Sequence, residues 1–101
     1  MKTWKRAEKR IAKVIQGERT SHQHLGLRSC DIQTERYAVE VKSRKSLPLW
    51  FIEAMKQAER NTPQGKIAVL ILHKDGWRYD TDDLVLMRIG DWKELVGNVT
   101  N

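Results

Sequence analysis

The chain has 101 residues, of which 40% are hydrophobic and 32% are charged, and its formal net charge is +6. This length suits one compact domain over residues 1–101, and the composition excludes a disordered chain. No apolar run is long enough to span a bilayer, and the charged N-terminal stretch lacks the apolar segment of a signal peptide. The single cysteine, Cys30, excludes an internal disulfide. We expect a soluble, cytoplasmic protein of a bacterial or archaeal cell or of a virus-infected host cell.

The excess of Lys and Arg predicts a polyanionic partner. Nucleic acid is the first candidate, because clustered cations bind phosphates with release of counterions. A solvated basic surface without a partner is the alternative, since charge alone does not establish binding. The positions favour binding, because the cations crowd the first predicted helix and a segment beside an acidic cluster. The expected DNA contacts among them are Lys5, Arg6, Lys9, Arg44 and Lys45.

Residues 3–16 have apolar side chains at helical spacing, and the predicted helix ends at Gly17, which tolerates a left-handed backbone. Glu8 falls within the apolar stripe, so its carboxylate is expected to face the interior, where a charge needs a cation. Alternatively, Glu8 lies at the edge of the stripe and pairs with Lys5 or Lys9.

The polar segment of residues 18–28 has no steady period and predicts a loop, in which Ser21 or Thr20 could hydrogen-bond a phosphate. An acidic-to-basic stretch follows and predicts a strand, a turn at residues 33–36 and a second strand. We expect the functional site in this stretch.

Successive side chains of a strand face opposite sides, so Glu40 and Lys42 share one face of the second strand. A turn that sets Asp31 across from Ala38 places Asp31 on that face as well. A register slip of one residue would move Asp31 to the opposite face. In the favoured register, two carboxylates and one ammonium group converge.

Asp31 and Glu40 are suitable oxygen ligands for a hard divalent cation. Mg²⁺ is favoured and Mn²⁺ is a substitute, with the main-chain carbonyl of Val41 as a further ligand. Such a cation polarises a scissile phosphate and activates a water molecule. Lys42 can stabilise the attacking hydroxide or the negative charge that develops on the phosphate. The alternative is an ordinary polar hairpin face, because an Asp followed by Glu-x-Lys is a weak pattern by itself.

The second half of the chain predicts a helix over residues 49–61 that starts after Pro48. Gln57 is expected to face inward on this helix, either satisfying a buried backbone group or bordering a catalytic cleft. The apolar run at residues 66–72 predicts a strand buried on both faces.

Further elements are predicted towards the C-terminal end. They are a short strand at residues 77–79, a strand at residues 84–89 and a helix over residues 91–97, capped by Asp91. The expected fold is a single α/β domain in the order α-β-β-α-β-β-α, with a mixed sheet flanked by helices.

Over residues 4–87 the chain resembles the PD-(D/E)xK nuclease superfamily, and within it the small Holliday junction resolvases of archaeal and phage type. The family's helical glutamate is matched by Glu8, its aspartate by Asp31 and its Glu-x-Lys by residues 40–42. A basic, hydroxyl-bearing segment is matched by residues 19–21, which adds Arg19 and Ser21 to the expected DNA contacts. Cys30 stands where the family has proline, and Gln57 is a looser match to an inward glutamine of the next helix.

The resemblance implies a restriction-endonuclease-like core, with Glu8 as a further catalytic residue and metal ligand. It also implies Mg²⁺-dependent hydrolysis of phosphodiester bonds in branched DNA by a homodimer with two active sites. Two alternatives remain: a nicking or restriction-type nuclease on the same fold, and a basic nucleic-acid-binding module without catalysis. A chain of this length leaves little room for a sequence-reading domain, which counts against restriction. Asp31 and Glu40 count against a module that only binds nucleic acid, because acidic residues placed where a phosphate approaches would weaken binding.

Overall fold

The computed structural model describes residues 3–19 and 30–96, which form three helices and five short strands. Strands β1, β2 and β3 form one antiparallel sheet in that order, and β4 pairs with β5 in a second antiparallel sheet. The elements are α1 Thr3–Ile15, β1 Glu18–Arg19, β2 Ile32–Gln33, β3 Ala38–Val39, α2 Leu49–Arg60, β4 Leu70–Leu72, β5 Leu84–Leu86 and α3 Ile89–Leu95.

A small fold of mixed helices and strands is thus confirmed. The predicted order lacked β1, which lies in a segment predicted to be a loop. The restriction-endonuclease-like core, the single mixed sheet and the single domain stay predictions. The chain divides into two compact units, one formed by Met1–Lys45 with Lys93–Asn101 and the other by Ser46–Trp92. Within the described ranges, no helix is both long and apolar enough to cross a membrane.

Helix α1 confirms the predicted helix and closes with a pair of backbone hydrogen bonds. The N–H of Gly17 donates to the carbonyl of Ala12 at 2.8 Å, and the N–H of Gln16 donates to Lys13 at 3.3 Å. This pattern is a Schellman motif, in which one residue takes a left-handed conformation. That residue is Gln16, with φ of 56°, so the expectation that Gly17 supplies the left-handed backbone is wrong.

Gly17 is required for a different reason, namely the close approach of strand β2. A Cβ atom at position 17 would lie 2.5 Å from Cγ2 of Ile32 and 3.1 Å from the carbonyl oxygen of Gln33. Ile32 is fully buried and forms the core of this unit together with Ala12 and Ile15. The glycine therefore lets the end of α1 pack directly against the central strand of the sheet.

Gly17→Ala is expected to lower the free energy of unfolding by about 1–3 kcal/mol, because the added methyl group overpacks the contact with Ile32. Urea denaturation followed by circular dichroism measures the change. Gly90→Ala is the matched control, since a Cβ at this position of α3 meets nothing within 4 Å. The control should be neutral or slightly stabilising, because alanine has the higher helix propensity. Equal stability of Gly17→Ala and the wild type would contradict the packing argument.

The hairpin between β2 and β3 has a register that differs from the expected one. Gln33 pairs with Ala38 and Ile32 pairs with Val39, so Asp31 is not opposite Ala38. The turn is Thr34 to Tyr37, closed by the N–H of Thr34 donating to the Tyr37 carbonyl at 2.9 Å. The shift is two residues, an even number, so it leaves every side chain on its expected face.

Helix α2 confirms the predicted helix of the second unit, with Pro48 at its N-cap. Met55 is its buried residue, whereas Gln57 is exposed, so the expectation that Gln57 faces inward is wrong. Because Gln57 follows the buried Met55 by two residues, the helical period places the two side chains on opposite sides of α2. The side chain of Glu59 forms a two-pronged ion pair with Arg88, at 2.8 and 2.9 Å. This hydrogen bonding to Arg88 lowers the pKa of Glu59 below its ordinary value.

The apolar run at residues 66–72 is not buried on both faces, contrary to the prediction. Strand β4 consists of the last three residues of this run. Within it, Ile71 is 53% exposed, and its pairing partner Val85 is exposed as well. A two-stranded sheet that contacts α2 on one side leaves its alternate side chains uncovered. The predicted strand at residues 77–79 is a turn region, and α3 begins at Ile89, which places Asp91 in its first turn rather than at its cap.

Candidate functional site

Asp31 is held against the backbone that follows strand β3. Its Oδ2 accepts a hydrogen bond from the N–H of Val41 at 2.6 Å. Because Ile32 pairs with Val39, the next opposing positions along the hairpin are Asp31 and Glu40. The hydrogen bond therefore anchors the aspartate beside the Glu-x-Lys segment. The contact of Asp31 with Val41 thus involves the backbone N–H, a donor that the alternation of side chains does not reveal.

The alternation predicted for residues 37–42 is confirmed by the exposure of the side chains. Tyr37, Val39 and Val41 are half-buried, and Glu40 and Lys42 are exposed. Ile32 faces the same side as Val39 and is fully buried, so Asp31 lies on the other face, the face of Glu40 and Lys42. One polar face of the hairpin thus presents two carboxylates and an ammonium group.

Glu8 is the buried acid of this unit, as its position in the apolar stripe predicts. It is 3% exposed, and its Oε2 has no hydrogen-bond partner among the residues that the structure describes. A guanidinium nitrogen of Arg19, Nη2, lies 3.8 Å from Oε2, which is an ion pair longer than a hydrogen bond. Burying a carboxylate is unfavourable unless it is paired and hydrogen-bonded. The Oε2 atom of Glu8 would therefore be stabilised by a further cation or hydrogen-bond donor.

The oxygen donors of this unit have the chemistry that suits a hard divalent cation. Mg²⁺ needs only one or two protein carboxylates, since water and substrate phosphate complete its octahedral shell. Asp31 and Glu40 fit that need, and the orphaned Oε2 of Glu8 is an unsatisfied acceptor. In residues 3–19 and 30–96, no three or more His, Cys, Asp or Glu side chains group closely enough to hold a metal. The role of Glu8 as a third metal ligand therefore stays a prediction.

The basic side chains predicted to contact DNA are exposed in the same unit. Lys5, Arg6 and Lys9 are exposed on α1, and Arg44 and Lys45 are exposed after the hairpin. Arg19 is one-third exposed. Ser21, the other predicted contact, lies outside the described residues. Gln57 belongs to the second unit and is exposed on α2.

A polar cluster that the sequence patterns did not indicate lies in the second unit. Nδ1 of His73 is 2.7 Å from Oδ1 of Asp83, and the imidazole stacks on the ring of Tyr79 at a centroid distance of 4.0 Å. The Leu72–Leu84 pair precedes this cluster at the end of the β4–β5 ladder. These contacts close the intervening turn, because they tie its first and last residues together.

Comparison of the chain with protein-family models, with curated proteins and with solved structures found no match in any of the three. The resemblance to the PD-(D/E)xK nucleases therefore rests on residues of this chain, namely Glu8, Asp31 and residues 40–42. Its implications for activity, metal and partner are proposals.

Proposed function

We propose that this chain is a Mg²⁺-dependent DNA endonuclease and that its preferred substrate is a four-way DNA junction. The observation that carries the proposal is the hydrogen bond from the Val41 N–H to Oδ2 of Asp31 at 2.6 Å. It holds one acid of the motif beside the other acid, Glu40, on the exposed face that also carries Lys42. An ordinary surface hairpin has no need to anchor an aspartate next to a second carboxylate, because like charges repel.

Each residue of the face has a distinct role in the proposed reaction. Asp31 and Glu40 would hold Mg²⁺, with Mn²⁺ as a substitute and the Val41 carbonyl as a further ligand. The bound cation would supply polarisation of the scissile phosphate and activation of a water molecule. Lys42 is exposed on the same face, where its ammonium can donate hydrogen bonds to an oxygen as negative charge develops in the transition state. Glu8 is proposed as an additional acid of the site.

The basic surface supports DNA as the substrate class. Exposed cations on α1 and after the hairpin belong to the same compact unit as the polar face. Phosphate contacts of this kind position a duplex without reading its bases, which suits selection by DNA shape. Because paired cuts across a junction require two active sites, we propose that the protein acts as a homodimer.

Incubation with labelled DNA tests the proposal, using a four-way junction, a linear duplex of matched sequence and a single strand. Each substrate is incubated with Mg²⁺ or with EDTA, and products are resolved on denaturing gels. Symmetric cuts in the junction that require Mg²⁺ are the expected result. Equal cutting of the linear duplex would instead indicate a general nuclease, and tight binding without any cleavage in Mg²⁺ or Mn²⁺ would overturn the enzymatic proposal.

Asp31→Asn is expected to remove this cleavage. The amide oxygen of asparagine can still accept the Val41 N–H, so the hairpin is retained, whereas the negative charge that attracts the cation is lost. Asp75→Asn is the matched control, because Asp75 is exposed in a turn of the second unit. Cleavage rates are measured at saturating protein, with circular dichroism to verify folding. Wild-type cleavage by Asp31→Asn would show that the aspartate is not a metal ligand.

A further inference from the structure

One face of the β4–β5 sheet presents apolar side chains to solvent. Ile71 of β4 and Val85 of β5 are direct partners in the ladder, and Val85 is 61% exposed. Ile67 and Val69, which precede β4, are also exposed and alternate with half-buried residues, so they continue the same side. We call these four residues the apolar sheet face. Single exposed apolar residues are usual, whereas a contiguous apolar patch marks an interaction surface.

A groove continues the apolar sheet face towards α3. Its volume is about 570 Å³, and its lining residues are Val85, Leu86, Met87, Ile89 and Trp92. All five are apolar or aromatic. Val85 belongs both to the exposed face and to the wall of the groove. The second unit therefore carries projecting aliphatic side chains and an apolar recess next to each other.

The pair of His73 and Asp83 borders the apolar sheet face at one end. Because Leu72 pairs with Leu84, the next opposing positions are His73 and Asp83, which share the side of Ile71. Nδ1 of His73 and Oδ1 of Asp83 are 2.7 Å apart, so these two polar atoms satisfy each other. An apolar centre beside polar groups that are hydrogen-bonded is the usual composition of a protein–protein interface.

The charge of the second unit favours a protein over DNA as the occupant of this face. Residues 46–92 contain six Lys or Arg and seven Asp or Glu residues, so the net charge of +6 of the chain comes from the first unit. A surface for DNA needs cations for phosphates or aromatic rings for unpaired bases, whereas this face is aliphatic. Two copies of a nearly neutral surface can also meet without the repulsion that two strongly basic surfaces would have.

We propose that the apolar sheet face and the adjoining groove form the interface of a homodimer, with a second copy of this chain as the occupant. A two-fold interface uses the same patch on both copies, so the patch must contain both the projections and the recess that receives them. Ile71 and Val85 supply the projections, and the groove beside Val85 supplies the recess. The inference rests on the proposed function, which requires two active sites, and it names the surface that joins them.

Sedimentation velocity of the full chain without DNA, over a range of micromolar concentrations, tests the interface. The wild type should be a dimer. Val85→Arg should raise the dissociation constant at least about a hundredfold, because it places two like charges in an apolar contact. Leu49→Arg is the matched control, since Leu49 is 70% exposed in the same unit but lies on α2, outside the sheet. The control should remain a dimer, and circular dichroism verifies the folding of both variants.

A milder variant decides the test if Val85→Arg does not fold. Ile71→Thr combined with Val85→Thr keeps β-branched side chains, which suit a strand, and replaces a methyl group by a hydroxyl at each position. The dissociation constant of this variant should rise about tenfold, because the buried hydroxyl groups are desolvated. Failure of both variants to fold would show that the face packs within the chain and would overturn the interface.

The remaining outcomes separate the interface from the proposed function. Junction cleavage by the wild type in Mg²⁺ is scored in parallel. A wild type that is monomeric without DNA, or a dimer that Val85→Arg and the threonine variant leave intact, overturns the interface even if the junction is cleaved. A dimer that Val85→Arg separates, in a protein that does not cleave, supports the interface and removes the nuclease.

Discussion

Lys42→Ala is expected to reduce the rate of junction cleavage by about 10²- to 10³-fold, the usual loss when one donor to a developing negative charge is removed. Affinity for the junction should change by less than about twofold, because Lys42 is proposed to interact with negative charge that develops only in the transition state and not with the bound substrate. Single-turnover cleavage measures the rate, and anisotropy in Ca²⁺ measures the affinity. Lys42 is exposed on the hairpin face, so its truncation leaves the core unchanged.

Lys45→Ala is the matched control for this lysine. Lys45 is exposed three residues further along the chain and is proposed as a DNA contact without a role in the reaction. Its truncation should weaken binding and reduce the slope of log affinity against log salt by about one, with the rate at saturation unchanged. If Lys45→Ala slows the saturated rate as much as Lys42→Ala does, Lys42 has no special part in the chemistry.

The helices and the alternation of the hairpin could be predicted from the sequence, because each is recorded in the spacing of apolar residues. Helix α1 and helix α2 match their predicted ranges to within one residue at each end. The polar face of Glu40 and Lys42 follows from the two-residue period of a strand. Burial of Glu8 follows in the same way from its position in the apolar stripe.

The register of the hairpin and the strand β1 could not be predicted from such spacing. Register depends on the turn, and Thr34 closes it through its backbone and through its Oγ1, which accepts the N–H of Tyr37 at 3.0 Å. Strand β1 consists of two charged residues, Glu18 and Arg19, and carries no apolar pattern. Its pairing with β2 is a tertiary contact, and so is the Glu8–Arg19 ion pair that this pairing makes possible.

Gly17 and Ile71 show two further limits of local patterns. A glycine after a helix usually indicates a left-handed backbone, but here the crowding by Ile32 explains it, and Gln16 takes the positive φ. A continuous apolar run usually indicates burial on both faces, yet Ile71 is exposed because α2 contacts β4 from one side of a two-stranded sheet. Both outcomes depend on which element of the fold packs against the segment. The residues adjacent in sequence do not contain that information.

Glu8→Met is expected to raise the free energy of unfolding by about 1 kcal/mol or more in EDTA, while it removes junction cleavage. A buried carboxylate oxygen without a hydrogen bond, as Oε2 of Glu8 is among the described residues, is unfavourable, and replacing a buried ion pair by a hydrophobic side chain of similar size is often stabilising. Methionine has nearly the same helix propensity as glutamate, so helix α1 itself should be unaffected. Urea denaturation measures stability, and single-turnover cleavage in Mg²⁺ measures activity.

Glu53→Met is the matched control, because Glu53 is exposed on α2 and no buried charge is removed. Its stability should stay within about 0.5 kcal/mol of the wild type, as is usual for surface substitutions, and its cleavage should be unchanged. If Glu8→Met raises the stability of the protein and removes cleavage, the Glu8 carboxylate is required for function although it destabilises the fold. Loss of stability together with loss of cleavage would instead show that the Glu8–Arg19 pair is structural, and that the cleavage defect follows from unfolding.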